Sequence, residues 1–170
     1  PRDPEPSPVL CAYEPSIPDG RALDIAAGTG RNAVYLAAVG YDVDALDASR
    51  EGLATVRERA GERDVADAVT TIHADATTYE LPIAHYELVT MSFYHTLDRF
   101  TDLSAALAPG GYLFVEGHLR STDPTPSGPR DDRHRFGSND LLRAGLGLTV
   151  LHYDETTAER SGDDQRTTAR

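Results

Sequence analysis

Short apolar segments alternate with segments of helical periodicity along most of the chain. The apolar segments are bounded by glycine, proline or polar residues and predict strands, whereas apolar residues at helical spacing predict the helices between them. The first predicted strand begins at Ala22 and carries Asp24 at its end. The other predicted strands cover residues 41–47, 69–73, 86–92 and 112–116, and the helices cover residues 31–39, 50–60 and 98–108. Because strands and helices alternate, the sequence predicts an α/β fold with a doubly wound, mostly parallel sheet and helices on both faces.

The two ends of the chain depart from this alternation. Residues 1–8 alternate prolines with charges, which predicts an extended arm, and Ser7-Pro8 is typical of the start of a short helix. The C-terminal part is polar and proline-containing at first, which predicts a long loop. We predict in turn a loop over 118–136, a helix from Ser138 or Asn139 to Ala144, a strand over 146–153, a polar connection over 155–164, and an antiparallel last strand from Gln165. The abrupt start and the unfinished last strand lead us to expect truncated termini.

The charge balance is strongly acidic. The chain has 28 acidic and 16 basic residues, for a net charge of −12, and every basic residue is arginine. Such a surface repels nucleic-acid phosphates and anionic lipid head groups, so we expect neither nucleic acid nor a membrane as a partner. An excess of aspartate without lysine is also typical of proteins in a high-salt cytoplasm, which predicts a halophilic source.

The chain contains a single cysteine, which limits the disulfides and metal sites it can form. Cys11 excludes an internal disulfide and a cysteine-based zinc site, and it fits a reducing compartment. No apolar run approaches the roughly 18 residues of a membrane-spanning helix, and residues 1–8 lack the apolar core of a signal peptide. We therefore predict a cytoplasmic protein, and we identify no metal ligands in the sequence.

A glycine loop follows the first predicted strand. Gly28 and Gly30 leave no Cβ between the backbone and a ligand, and both tolerate positive φ. The helix that begins at Arg31 directs unpaired N–H groups and the positive end of its dipole into the loop. Residues 28–33 fit the dinucleotide pattern G-x-G-x-x-G/A, with acidic Asp47 placed as a ribose-binding carboxylate would be. The loop predicts a nucleotide-like ligand.

Asp24 separates two kinds of nucleotide ligand. Its carboxylate would repel the diphosphate of a dinucleotide and attract a ligand that carries an ammonium group and a sulfonium centre. With this carboxylate the loop resembles the first motif of the class I S-adenosylmethionine-dependent methyltransferases, roughly apolar-apolar-D/E-x-G-x-G-x-G. Ala26 stands where the family has its first glycine, which predicts a less tight turn. Residues 107–114 resemble the family's L-x-P-G-G-x-L motif, which is a structural turn.

The resemblance implies a Rossmann-like fold that binds S-adenosylmethionine beyond the carboxyl ends of its strands. It implies Asp24 near the methionine amino group, Asp47 on the ribose hydroxyls and Asp75 on the adenine amino group, with the Ala76 N–H toward the ring. The predicted cofactor-binding residues are Asp24, Ala26, Gly28, Gly30, Asn32, Asp47, Ala48, Asp75, Ala76 and Ser92.

The family's acceptor approaches the segment after the fourth strand, which is Ser92-Phe93-Tyr94-His95 in this chain. The family's N/D-P-P-Y/F motif is missing there, which argues against a nucleic-acid or glutamine amine as acceptor. His95 is a candidate general base, and the alternatives are packing over adenine or capping the next turn. Tyr94 and His118 are further candidates for contact with the substrate.

Three arginines in one polar loop allow two interpretations, of which one is an anionic acceptor. Arg130, Arg133 and Arg135 lie in a chain that is otherwise acidic, and guanidinium groups suit oxyanions and carboxylates. The alternative is a solvated loop in which these arginines pair with Asp131, Asp132 and their neighbours.

Residues 28–36, G-T-G-R-N-A-V-Y-L, and the pattern F-x-x-x-D/E-L-L over residues 136–142 resemble the tellurite-resistance and thiopurine-type branch, which methylates small polarizable acceptors. We therefore predict one domain that transfers a methyl group from S-adenosylmethionine to a small molecule. Its parts are an arm with a short helix (1–19), a cofactor-binding core (20–117) and a substrate-side segment (118–170). The alternatives are a nicotinamide-dependent oxidoreductase, disfavoured by Asp24 and by the lack of lysine, and a non-catalytic S-adenosylmethionine-binding module.

Overall fold

A computed structural model describes residues 5–120, 128–160 and 164–169, with side chains for residues 5–120 and 128–156. The helices are α1 (Pro8–Tyr13), α2 (Arg31–Ala38), α3 (Arg50–Glu62), α4 (Phe100–Ala106) and α5 (Asp140–Ala144). The strands are β1 (Arg21–Ile25), β2 (Asp42–Asp47), β3 (Val69–His73), β4 (Tyr86–Ser92), β5 (Leu107–His118), β6 (Glu155–Arg160) and β7 (Asp164–Ala169). Short 3₁₀ helices lie at Glu14–Ser16, Ala66–Ala68, Asp132–His134 and Gly145–Gly147.

The chain forms two compact units. The first unit comprises Pro1–Met91 and Thr101–Phe114, and the second comprises Ser92–Phe100 and Val115–Arg170. The single domain over residues 1–170 stays a prediction.

A parallel sheet organises the first unit. β1 pairs in parallel with β2 on one side and with β4 on the other, and β2 pairs in parallel with β3. The strand order is β3-β2-β1-β4-β5, which is the predicted Rossmann-like α/β arrangement. The order reverses between β1 and β4, and ligands of such sheets bind beyond the carboxyl ends of the strands at this point.

The central strands of the first unit are buried, which explains their nearly continuous apolar sequences. Leu23 of β1, Leu46 of β2 and Leu88 of β4 are fully buried, and so are Leu36 of α2 and Val56 of α3. Burial of these side chains fixes the strands against the helices and sets the position of each strand end.

Helices α3 and α4 end at other residues than predicted. α3 begins after Ser49, as predicted, and continues past Ala60 to Glu62. α4 ends at Ala106, and β5 begins directly at Leu107 instead of Tyr112. The backbone N–H groups of Ala84 and His85 donate to the carbonyls of Ala105 and Ala106 at 2.8 and 2.9 Å. These bonds engage the last helical carbonyls, so the chain is extended from Leu107 onward. Pro109-Gly110-Gly111, predicted as a turn before the strand, lies within β5.

In the second unit, antiparallel pairing joins the end of β5 to β7, with Gly117 opposite Ala169, and joins β7 to β6. The predicted antiparallel last strand is therefore confirmed over residues 164–169. The strand predicted over residues 146–153 is wrong, because β6 lies at Glu155–Arg160, within the predicted polar connection.

The glycines on both sides of Leu146 explain this error. They favour a turn over a strand, and the N–H of Leu148 closes that turn on the carbonyl of Gly145 at 2.9 Å. Threonines 156 and 157 of β6 suit a paired strand despite their polarity.

The helix predicted after Ser7-Pro8 is confirmed by α1. Parts of other predictions lie outside the described residues, namely the arm over 1–4, the loop over 121–127, the connection over 161–163 and residue 170. No helix in the described part of the chain combines the length and the apolar character needed to cross a membrane.

Candidate functional site

Asp24 is a buried carboxylate near the end of β1, with 2% of its surface exposed. Its Oδ1 accepts a hydrogen bond from the Thr90 hydroxyl of β4 at 2.7 Å, and its Oδ2 accepts from the Ala33 N–H of α2 at 3.1 Å. Burial raises the pKa of Asp24 to about 6, although the bonds from Thr90 and Ala33 act in the opposite direction. At neutral pH the site therefore holds a buried negative charge, which favours a cationic ligand group.

Asp47, at the end of β2, connects two loops. Its Oδ2 accepts from the Gly28 N–H and its Oδ1 accepts from the Ser49 N–H, both at 2.7 Å. Its backbone carbonyl accepts from the Ala74 N–H at 3.1 Å. Carboxylate oxygens have two lone-pair sites each, so the half-buried Asp47 can also accept from a diol.

Asp75 lies just beyond β3 and is exposed. Its Oδ1 accepts from the N–H and the hydroxyl of Thr77 at 2.8 and 2.7 Å, and these bonds lower its pKa. The half-buried Ala76 lies in the same turn, which the Tyr79 N–H closes on the Asp75 carbonyl at 2.9 Å. Since β1, β2 and β3 are adjacent and parallel, the structure brings Asp24, Asp47 and Asp75 to one edge of the sheet.

The loop between β1 and α2 is left-handed at three residues. The φ angles are +54° at Ala26, +56° at Gly28 and +84° at Gly30. The expectation of a less tight turn at Ala26 is wrong, because alanine adopts there the conformation that glycine favours. The left-handed conformation costs a non-glycine residue about 1–2 kcal/mol.

The two glycines of this loop have different functions. A Cβ on Gly28 would meet nothing within 4 Å, so Gly28 borders open space in which a ligand can lie. A Cβ on Gly30 would lie 3.0 Å from Val56 and 3.2 Å from Val34. Gly30 is therefore needed for packing against the helices, and Gly28 is the glycine that a ligand can approach.

Helix α3 supports the loop through residues that the sequence analysis missed. A Cβ on Gly52 would lie 2.6 Å from the Gly28 carbonyl oxygen, which shows how closely the helix approaches. Arg59 donates to the Thr29 carbonyl at 2.8 Å and to its hydroxyl at 3.1 Å. Gly52, Val56 and Arg59 lie three to four positions apart, on one helix face. The available signal was a glycine inside a helix, where it costs about 1 kcal/mol.

Two predicted cofactor residues contact other parts of the first unit. Asn32 is buried, and its Oδ1 accepts from the Ser7 N–H at 3.3 Å, which attaches the segment before α1 to α2. Ala48 is exposed, and its carbonyl accepts a hydrogen bond from His73 Nε2 at 3.0 Å, which joins the ends of β2 and β3. A role in cofactor binding stays a prediction for both residues.

The residues predicted to meet the acceptor lie in the second unit. Ser92 ends β4, and the next residue, Phe93, is left-handed with φ +56°. The Phe93 N–H donates to the Glu116 carbonyl at 2.8 Å, and its ring lies 4.9 Å from that of His118. Tyr94, which follows, is half-buried. Left-handed aromatic residues are strained, and such strain is concentrated at functional sites.

His95 is half-buried, and its ring lies 4.6 Å from that of Phe136. Burial lowers the pKa of His95, electrostatic interactions with Arg120 and His134 lower it further, and the carboxylate of Asp140 opposes them. The imidazole is thus uncharged at neutral pH and able to accept a proton.

The three arginines of the predicted anion-binding loop differ in their surroundings. Arg135 is 1% exposed and donates from Nε to the Pro129 carbonyl at 2.8 Å and from Nη1 to the Leu119 carbonyl at 2.9 Å. Arg133 pairs with Asp131 at 2.6 Å, as the solvated-loop alternative predicts, and Arg130 is exposed. The structure thus uses Arg135 to hold its own segment together.

We expect Arg135→Met to lower the free energy of unfolding by about 2–4 kcal/mol, because two carbonyls lose a charged donor in a buried place. Arg133→Met removes an exposed ion pair and serves as the control, with a much smaller expected loss. Urea denaturation measures both. Equal stability of the two variants would contradict the structural role of Arg135.

The fold and the carboxylates at the strand ends are those of one class of proteins. The chain belongs to the methyltransferase domain family, which matches residues 22–111, more than half of the chain. This match confirms the predicted class, the class I S-adenosylmethionine-dependent methyltransferases.

Three relatives show the extent of the similarity. The chain is 37% identical over 111 residues to a demethylmenaquinone methyltransferase of Clavibacter sepedonicus, covering 62% of this chain and 43% of that protein. It is 24% identical over 151 residues to the probable S-adenosyl-L-methionine-dependent methyltransferase TehB of Haemophilus influenzae, covering 85% of this chain and 51% of that protein. The crystal structure of TehB from Haemophilus influenzae matches with a TM-score of 0.76 at 20% identity, over 95% of this chain and 60% of that one. The chain spans about half the length of the curated relatives it matches.

Proposed function

We propose that this chain binds S-adenosylmethionine in its first unit and transfers the methyl group to a small molecule. The observation that carries the proposal is the position of Asp24, Asp47 and Asp75 at the ends of three adjacent parallel strands, beside a left-handed glycine loop. Membership of the methyltransferase domain family supports it.

Each carboxylate has a chemically suitable partner on the cofactor. Asp24 attracts the ammonium group of the methionine portion, Asp47 accepts from the two ribose hydroxyls, and Asp75 accepts from the adenine amino group. The open space at Gly28 accommodates a ligand close to the backbone. These contacts hold the donor, and transfer then needs an acceptor in line with the methyl group at about 3–3.5 Å.

The second unit supplies the candidate residues for the acceptor. His95 is uncharged at neutral pH and acts in this proposal as the general base, where the acceptor needs to lose a proton. The resemblance of residues 28–36 and 136–142 to the tellurite-resistance and thiopurine-type branch supports a small polarizable acceptor. The net charge of −12 disfavours nucleic acid and anionic membranes as partners.

The amino-acid composition supports two further parts of the proposal, the cellular compartment and the source. The single cysteine fits a reducing cytoplasm, and the acidic, lysine-free composition fits a halophilic source.

Calorimetry with S-adenosylmethionine, S-adenosylhomocysteine and NAD tests the cofactor. We expect binding of the first two, weakened about tenfold or more by Asp47→Asn because a charged acceptor is lost. Asp42→Asn changes the other end of the same strand, where the side chain is exposed, and is expected to leave the affinity unchanged. Binding of NAD alone would contradict the proposal.

A methyl-transfer assay over a panel of small acceptors separates an enzyme from a binding module. We expect turnover with at least one acceptor and its loss in Asp24→Asn. Tight cofactor binding without turnover of any panel member would favour the binding module.

A further inference from the structure

Helix α3 carries two arginines that each donate to a threonine. Arg59 Nη1 donates to the Thr29 carbonyl at 2.8 Å and to its hydroxyl at 3.1 Å, within the glycine loop. Arg57 Nη1 donates to the Thr71 hydroxyl of β3 at 2.7 Å, away from the loop. We infer that Arg59 is a positioning residue for the cofactor, whose guanidinium group fixes the loop in its ligand-binding orientation. The inference rests on the proposed function.

Two successive carbonyls of the loop face α3. The Gly28 carbonyl oxygen lies against Gly52, where an added Cβ would come within 2.6 Å, and the Thr29 carbonyl receives Arg59. The Gly28 C=O and the Thr29 N–H belong to the same trans peptide and point in opposite directions. Because the Gly28 C=O faces α3, the Thr29 N–H faces away from it. The face of the loop opposite α3 is therefore the face that presents this donor and the open space at Gly28.

The loop needs such a support because of its composition. Glycine accepts either sign of φ at little cost, so peptide planes beside Gly28 and Gly30 can reorient more easily than in other loops. The Gly30 N–H bond to the Ala27 carbonyl at 2.9 Å opposes reorientation from within the loop. Arg59 opposes it from α3, because its bonds to the carbonyl and hydroxyl of Thr29 hold the Thr29–Gly30 peptide and the Thr29 side chain.

Calorimetry of S-adenosylhomocysteine with the full chain tests this role. We expect Arg59→Met to weaken binding about five- to twentyfold, which is the effect of one lost charged hydrogen bond. Arg57→Met removes the same charge and an Arg–Thr bond from the same helix, and we expect less than a twofold effect. Arg59→Lys keeps a charged donor and is expected to recover part of the affinity.

Amide hydrogen exchange distinguishes a role in holding the glycine loop from a general contribution to stability. In the unliganded protein we expect amides 28–31 to exchange faster in Arg59→Met than in Arg57→Met, because only the first variant releases the loop. The melting temperatures of the two variants should agree closely, apart from the small effect of a cation in the last turn of α3.

Each outcome decides the inference. Equal affinities of the Arg59→Met and Arg57→Met variants, in a protein whose wild type binds the ligand, overturn it and leave the proposed function intact. A wild type that binds neither S-adenosylmethionine nor S-adenosylhomocysteine overturns the proposed function and this inference with it. If Arg59→Met does not fold, Arg59→Lys and Arg57→Lys are compared instead, and equal affinities again overturn the inference.

Discussion

Asp24→Asn is expected to weaken S-adenosylmethionine binding about a hundredfold and to stabilise the protein at pH 7. The binding loss reflects removal of a buried negative charge that faces a cationic ligand. The stability gain arises because asparagine preserves both contacts, accepting from the Ala33 N–H and donating to the Thr90 hydroxyl. A pKa raised from 3.8 to about 6 corresponds to roughly 2–3 kcal/mol at 1.36 kcal/mol per pH unit.

The raised pKa of Asp24 determines how the stability difference between wild type and Asp24→Asn changes with pH. The folded pKa of Asp24 lies above the unfolded value, so the folded state binds more protons between about pH 4 and 6, and its relative stability falls as pH rises through 6. We expect wild type and Asp24→Asn to have similar stability below about pH 4 and to differ most above pH 6. Urea denaturation at pH 4 and 7 measures this. An Asp24→Asn variant less stable than wild type at pH 7 would contradict the argument.

Gly52→Ala is expected to weaken cofactor binding more than tenfold, although alanine favours helices. Its Cβ would lie 2.6 Å from the Gly28 carbonyl oxygen, so the loop or the helix must shift, at a cost of about 1–3 kcal/mol. Gly61→Ala is the matched control in the same helix, because a Cβ there meets nothing within 4 Å. That control should gain about 0.5–1 kcal/mol of stability.

Calorimetry and thermal unfolding of the two glycine variants measure these effects. If Gly52→Ala bound the cofactor as tightly as Gly61→Ala, the close approach of α3 to the loop would have no functional importance.

Local chemistry made much of the candidate site predictable. The carboxylate at Asp24, the glycines at 28 and 30 and the cap at Ser49 are each encoded by neighbouring residues, and the structure has all of them in the predicted elements. The support from Gly52 and Arg59 depends on contacts with residues far away in the sequence. The sequence pattern contains only a helix with two glycines and several arginines, which is also typical of an exposed helix.

The C-terminal part was predicted less well, since burial does not follow hydrophobicity there. Leu146 and Leu151 are 68% and 60% exposed, whereas Arg135 is 1% exposed. The apolar residues after α5 therefore indicated a buried strand that does not form. Arginine is rarely buried, and Arg135 is buried because the Pro129 and Leu119 carbonyls accept its hydrogen bonds.

In the proposed binding mode, with the ribose at Asp47, the existing hydrogen bonds of this carboxylate affect which ligand is selected. The Asp47 carboxylate is already held by the N–H groups of Gly28 and Ser49, so the shape of this corner is established during folding. A nucleoside that fits the corner loses its own freedom on binding but imposes little further ordering on the protein. A nucleoside with a displaced hydroxyl cannot recruit the carboxylate without breaking one of those bonds. Preorganisation at Asp47 thus converts a small difference in sugar geometry into a difference in affinity.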